Sequence, residues 1–358
     1  MKILFLAKRF TSGKDAVKDN FGRQVRLAEQ LQKRGHTVHF LAADYIKKQH
    51  FDSRIGNVKI FVRPLKVWNS LPFILSLRKR IRKEKYNAIF AGSDPIFGII
   101  ALITRQGTPF VYEIQDMYEF YKSYKFPFIR MLEKKAIINA SLIVAASPRL
   151  GKRYHNLNKN VVSITNGVDP EKCRPIDKNK ARNMFRLPKG RIVAYAGRRD
   201  RIIEKSIDLL IKSMKHVDNA TLLLVGDGNK SRAEKEGKNI IGFDSVEYRK
   251  LMNLLSAADV LVIAYPYEFA KFGYTSFRLA EYMCFSRPIV CPDIGDYKMV
   301  LKTPHLMYRQ NDQYDIAKKI NAALKIKKVD YSPQLKKLTW SYLGGELDKA
   351  IRNSIHSH

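Results

Sequence analysis

Acidic residues are scarce in this chain of 358 residues: 33 Asp and Glu stand against 66 Lys and Arg, a formal net charge of +33. A surface of that sign disfavours cationic partners and attracts polyanions such as nucleic acid, anionic lipid headgroups or phosphorylated small molecules. Cysteine is nearly absent. Cys173, Cys284 and Cys291 are odd in number and form no CxxC pair, which argues against a disulfide framework or a zinc site and for a reduced, cytosolic chain. An Asp-x-Asp metal motif is missing, so no metal ligand set is expected. Long apolar runs are missing too. The best candidate, "PIFGIIALI", falls well short of the roughly 20 residues that a membrane-spanning helix needs. In the opening "MKILFLAKRF" the apolar run stops at Lys8-Arg9 with no small-residue cleavage site, so a first buried strand is expected there and not a secretory signal. Short-period repeats and low-complexity segments are also lacking.

What is present is enough apolar material, 45% of the residues, for two cores in a chain that is long for one. Continuous apolar runs alternate with amphipathic helical patterns, as in parallel sheets covered on both faces. "KILFLA", "TVHFLAA", "VKIFV", "NAIFAG", "PFVYEI", "SLIVAAS" and "VVSITNGVD" read as strands of a first unit, residues 1–168. Between the first two, "FGRQVRLAEQLQKRGH" places Val25, Leu27, Ala28 and Leu31 at helical spacing, with Gly35 as its stop. Residues 169–190, charged and holding two prolines, read as a linker. The series restarts with "IVAYAG", "ATLLLVGDG", "NIIGF", "VLVIAY" and "RPIVCPD" over 191–335, and residues 336–358 close the chain with a helix. The expected fold class is α/β: two Rossmann-like, doubly wound parallel-sheet domains facing a cleft. In such sheets ligands bind beyond the carboxyl ends of the strands.

The unusual residues stand there. After "IVAYAG", Arg198 and Arg199 leave the strand and Lys205 opens the next helix; cations at a strand-to-helix junction suit a diphosphate. Gly226, Asp227 and Gly228 follow another strand, where glycine permits a tight turn and close backbone approach. In "FGYTSFRLAEYMCFSRPIVCPDIG", Tyr274, Thr275 and Ser276 precede a helix that carries one acid, Glu281. A carboxylate accepts two hydrogen bonds from a vicinal diol, so anion at the helix start and ribose at the acid together describe a nucleoside diphosphate.

"SITNGVDPEKCRP", "YAGRRDRIIEKSIDLLIKSM", "LLLVGDGN", "NIIGFDSVEYRKLMNLLSAADVLVIAYP" and "TSFRLAEYMCFSRPIVCPD" resemble, in order and approximate spacing, the retaining glycosyltransferases of family 4, whose fold is GT-B. The likeness spans nearly the whole chain and is most specific over residues 160–300. It implies a metal-independent, retaining glycosyl transfer of the hexosyltransferase type, from a nucleotide-sugar donor and with no cofactor. It assigns Arg198 or Arg199 with Lys205 to the donor diphosphate and Glu281 to the donor ribose. The family's glycine-rich first loop resembles "NFGRQ", so Gly22 is expected against the donor phosphate, with Phe21 in place of a glycine. Gln115 stands where many members have histidine and is followed by Asp116; both are expected at the catalytic centre. Gly273 stands where the family's first acid would be, and the loop is similar to a branch reading "SPLKLFEYM", with Arg278 at its lysine. The final helix is implied to pack back on the first domain.

Residues 1–168 carry 31 Lys and Arg against 11 Asp and Glu, a net of +20, and residues 169–358 carry 35 against 22, a net of +13. The shorter half is the more basic one, and by the resemblance it is the acceptor half. Within it, Trp68, Leu71, Phe73, Ile74 and Leu77 precede Arg78, Lys79, Arg80, Arg82, Lys83 and Lys85, and "MYEFYKSYKFPFIRM" interleaves aromatics with cations. Apolar anchors beside cations suit an anionic membrane surface. The expectation is a cytoplasmic enzyme, peripheral on the inner face of the cell membrane, whose acceptor is a lipid or lipid-linked glycan of the cell envelope. Competing readings are a nucleotide-sugar epimerase or glycan phosphorylase of the same fold, and a basic nucleic-acid binder. The last leaves the phosphate and ribose arrangement unused, so no nucleic-acid partner is expected.

Overall fold

The computed structural model describes all residues except 12–13, 67–69, 121, 198–200, 238, 267–276, 302 and 357–358. The chain divides into two compact units, one formed by Met1–Asn166 with Trp340–His358 and the other by Gly167–Thr339.

Unit 1 is built on eight strands: β1 (Lys2–Lys8), β4 (Thr37–Asp44), β5 (Phe51–Ile55), β6 (Val58–Pro64), β7 (Ala88–Ala91), β8 (Phe110–Ile114), β9 (Leu142–Ala145) and β10 (Val161–Ser163), with a two-residue hairpin, β2 (Phe10–Thr11) and β3 (Lys14–Asp15), beside them. Their order is β10-β9-β8-β7-β1-β4-β6-β5. All pairs are parallel except the outermost, β5 with β6. Ile3 to Ala7 of the central strand are all buried, as a strand covered on both faces requires. Phe5 stacks on Phe90 with ring centroids 4.4 Å apart.

Helices α1 (Arg23–Lys33), α2 (Leu71–Glu84), α3 (Pro95–Thr104) and α4 (Pro127–Asn139) flank this sheet. Of the apolar residues expected as membrane anchors on α2, Phe73 and Leu77 are instead core, packed with Leu4, Leu6 and Phe97. They sit one turn apart on the inward stripe of an amphipathic helix. Leu71 and Leu75 are the exposed pair, Ile74 is half-buried, and Trp68 lies outside the described residues. Arg80 is not a free cation either; its guanidinium lies 3.8 Å from the Phe61 ring centroid.

The terminal helix Trp340–His356 packs on α1. Gly344 makes the close approach possible, because a Cβ there would overlap Gln30. His36 just after α1 and Asp348 join at 2.7 Å, and Arg34 donates to the Ser341 carbonyl at 2.5 Å.

Unit 2 holds six parallel strands, β11 (Arg191–Ala196), β12 (Ala220–Val225), β13 (Ile240–Phe243), β14 (Val260–Val262), β15 (Ile289–Pro292) and β16 (Met307–Tyr308), in the order β13-β12-β11-β14-β15-β16. The stretch 169–190, expected as a linker, is folded into this unit. Cys173 and Ala181 are buried in its core, and Asp177 caps the helix α6 (Lys178–Met184) by accepting from the Lys180 N–H. Arg182 and Lys178 hold Asp259 at 2.7 and 2.9 Å. Composition alone read that stretch as a linker because its apolar residues are few, yet the ones it has point inward. Among the described residues, no helix is long and apolar enough to cross a membrane.

Candidate functional site

In unit 1 the expected residues gather around a buried acid. Gly22 caps α1 at φ 112° and ψ 155°, in a region that favours glycine. The next residue, Arg23, is buried; its Nε lies 2.6 Å from Oε1 of Glu113 in β8. Gln24 donates to the other carboxylate oxygen, Oε2, at 2.8 Å. Gln115, just past the end of β8, donates to the same Oε2 through Nε2 at 2.9 Å. Arg23 also donates to the carbonyl oxygens of Thr165, at 2.5 Å, and Ile164. Glu113 therefore ties the loop ahead of α1 and the segment after β10 to the position of Gln115. Room for it comes from Gly92 after β7, where a Cβ would lie 2.5 Å from Oε2. Asp116 follows Gln115 and is half-buried.

Reading the sequence for sites passed over Glu113, Arg23 and Gln24. The available signal was an acid within the otherwise apolar strand "FVYEI": a buried carboxylate requires a cation and donors, and Arg-Gln next to the expected phosphate-loop glycine supplies both.

In unit 2 the strand ends are packed by glycine. The Gly197 N–H donates to Val225 at 2.9 Å, and a Cβ on Gly226, whose φ is 141°, would overlap the Gly197 carbonyl oxygen. Gly228, at φ 72°, caps α8 (Asn229–Glu236). Lys205 does not open α7 (Arg201–Ser213) but sits in its second turn, exposed. The expected Arg198, Arg199, Tyr274, Thr275 and Ser276 lie outside the described residues.

The short helix Phe277–Met283 follows, with Leu279, Ala280, Tyr282 and Met283 buried. It is fastened to the end of β11 because the Tyr282 hydroxyl accepts from the Ala196 N–H at 2.9 Å; burial, chiefly, raises the pKa of that phenol. Glu281 is half-buried on this helix. Its backbone carbonyl accepts from the Cys173 thiol at 3.4 Å, and its side chain is hydrogen-bonded to Tyr248 at the start of α9 (Tyr248–Ser256). Burial, then the charge of Glu281, pushes the Tyr248 hydroxyl well above its ordinary range.

One turn earlier, Arg278 donates to the Tyr195 hydroxyl at 3.3 Å and to the Tyr265 hydroxyl at 3.2 Å. Its guanidinium lies 5.4 and 5.0 Å from the centroids of the same two rings, within cation–π range. A Cβ on Gly197 would fall 2.6 Å from its Nη1. Helix Phe277–Met283 thus places one cation and one carboxylate near the carboxyl end of β11.

Residues 24–172 match the family model described as Glycosyltransferase Family 4, and residues 190–325 match the one described as Glycosyl transferases group 1. No curated protein sequence matches the chain. Among solved structures, the chain is similar to a sucrose-phosphate synthase from Thermosynechococcus elongatus, with a TM-score of 0.78 at 17% identity and all of both chains covered. It is similar to Anabaena Alr3699/HepE in complex with UDP-glucose, with a TM-score of 0.71 at 15% identity over 99% of this chain and 100% of that one. An α,α-trehalose 6-phosphate synthase from Burkholderia multivorans gives 0.71 at 12% identity, covering 99% and 97%. At such identities the structures establish a shared fold, GT-B; the family models establish the class of enzyme.

Proposed function

We propose that this chain, a glycosyltransferase with the GT-B fold, moves a hexose with retention of configuration from a nucleoside-diphosphate sugar to a lipid or lipid-linked glycan of the cell envelope, without a metal ion. The observation that carries the donor half of this reading is the placing on one short helix of Glu281, half-buried beside Tyr248, and of the cation Arg278 against Gly197 at the end of β11. Glu281 offers its carboxylate to a ribose diol. Lys205, and the expected Arg198 or Arg199, meet the diphosphate. When the bond from sugar to β-phosphate breaks, its electron pair stays on the phosphate oxygen, and fixed positive charge beside that oxygen lowers the barrier. The close approach of Gly226 to Gly197 keeps side chains out of the space where that backbone meets a ligand. Gly22, Gln115 and Asp116 form the corresponding edge of unit 1; Gln115 and Asp116 are the proposed acceptor-side groups.

The acceptor half rests on unit 1 being the more basic per residue, and on the exposed apolar side chains Leu71 and Leu75 of α2 and Phe126, Phe128 and Met131 at the start of α4. Cations interleave with them: Arg78, Lys79, Arg82 and Lys83 on α2, Lys125 and Arg130 by α4, all exposed. That mixture suits the interface of an anionic bilayer on the cytoplasmic side.

A panel of nucleotide sugars screened by thermal shift tests the donor half. A donor at 100 times its dissociation constant stabilises by about 2.7 kcal/mol. UDP-glucose is the first to try, because the Anabaena protein of the same fold is complexed with it. Shifts with no nucleotide sugar would overturn the reading, and turnover of donor without any acceptor would convert it to an epimerase.

A further inference from the structure

Arg278 has no acid. Its guanidinium is partnered by two phenolic hydroxyls and two aromatic faces, and no carboxylate among the described residues forms an ion pair with it. Guanidinium is permanently charged and offers five N–H donors in a planar fork. Two phenol oxygens occupy two of those donors and compensate little of the charge. A largely enclosed cation in that state is costly unless an anion completes it.

The position says which anion. Arg278 lies against Gly197, the first residue beyond β11, and β11 sits in the middle of a parallel sheet between β12 and β14. Ligands of such sheets bind beyond their carboxyl ends. The same helix presents Glu281 one turn further on, and Tyr282 anchors that helix to Ala196, so the fork is rigidly placed. Two other arginines of unit 2 do have an acid: Arg182 holds Asp259 at 2.7 Å, and Arg232 pairs with Asp208.

We propose that Arg278 binds a phosphate oxygen of the donor's diphosphate, forming with Tyr195 and Tyr265 a preformed anion clamp that discriminates diphosphates from uncharged nucleosides. This rests on the nucleotide-sugar reading above, and it adds a residue to the donor site. The two tyrosines act as positioning residues: they fix the plane of the guanidinium, so its donors meet the phosphate without reorganisation.

The experiment is calorimetric titration of wild type, Arg278→Lys and Arg278→Gln with UDP, GDP, ADP, uridine and inorganic pyrophosphate, each protein checked for an unchanged thermal midpoint. The expected result is a tenfold to hundredfold loss of affinity for the preferred nucleoside diphosphate and for pyrophosphate in Arg278→Gln. Uridine affinity should not change. Arg278→Lys should recover part of the loss, since it restores the charge without the fork. A merely structural arginine would lower the midpoint and weaken nucleoside and diphosphate alike. If Arg278→Gln binds diphosphates and pyrophosphate as wild type does, the clamp is wrong while the donor reading stands. If wild type binds pyrophosphate through Arg278 but none of the nucleotides, the clamp stands and the donor reading falls. Binding of none of these by wild type overturns both. Should Arg278→Gln fail to fold, Arg278→Lys and Tyr265→Phe carry the comparison, the latter expected to weaken diphosphate binding several-fold and leave uridine unaffected.

Discussion

Gln115 donates its side-chain N–H to Glu113 at 2.9 Å, two residues back along the same strand end. An ionised carboxylate only accepts, so the contact fixes which end of the amide is which: nitrogen toward Glu113, carbonyl oxygen away. Glu113 in turn is fully buried and held by Arg23 and Gln24. Replacing Glu113 with Gln leaves the Arg23 charge buried and uncompensated. The expected loss is about 3–5 kcal/mol of stability, read as a lowered denaturant midpoint for unit 1. Transfer activity should fall with it even under conditions where the variant is folded. An unchanged midpoint would show that Glu113 does not organise this edge.

Lys205→Ala and Glu281→Ala are expected to keep the fold and lose activity. Lys205 is exposed and Glu281 half-buried, so neither truncation opens a large cavity. A charge-assisted contact is worth about 1.5–3 kcal/mol, which corresponds to roughly tenfold to a hundredfold in kcat/KM. Near-native kinetics in both variants would remove these residues from the donor site.

The strands of both units were legible from the sequence because a strand buried on both faces must be apolar throughout. "KILFLA" became β1 and "ATLLLV" became β12 for that reason. The missed strand β5 reads "FDSRI" with exposed polar positions; as an outer antiparallel strand it has one solvent face and carries no continuous apolar signal. The family resemblance marked Gly22 and a place just after a strand marked Gly226, and both take a positive φ. Glu113 and the tyrosine frame of Arg278 were not legible in the same way. Their roles depend on partners 90 and 83 residues away in sequence, which only the fold brings together.

Stability of unit 1 is expected to decline as pH falls below about 6.5. Burial first, then the positive charges of Lys2, Lys59 and Arg80, lower the pKa of His39 in spite of Glu84. Its Nδ1 lies 2.7 Å from the Tyr86 hydroxyl. His36 is lowered as well, by burial in the first place and against the pull of Asp348. Both groups titrate near 6.5 when unfolded, so below that pH the unfolded chain takes up protons that the folded chain refuses, and ΔG of unfolding falls by at most about 1.4 kcal/mol per pH unit for each. Above 6.5 both are neutral in either state and the contribution is flat. Comparing denaturant midpoints at pH 7.5 and 5.5 for wild type and His39→Gln checks this: the variant should show the shallower dependence, and equal slopes would count against it.

Liposome sedimentation examines the acceptor-side surface. Binding should require anionic lipid, weaken with added salt, and drop when Arg78, Lys79, Arg82 and Lys83 are neutralised together. Arg80 is left out of that set because it stacks on Phe61. Indifference to anionic vesicles at low salt would favour a soluble acceptor.

The chain leaves unit 1 after Asn166 and returns to it at Trp340, and just inside unit 2 the two crossings are paired at Val168 and Thr339. Unit 2 is in effect an insertion within unit 1. Unit 1 therefore depends on both of its chain segments: α1 is made long before the helix that packs on it. Until residues 340–356 are in place, the α1 surface that Gly344 approaches stays bare.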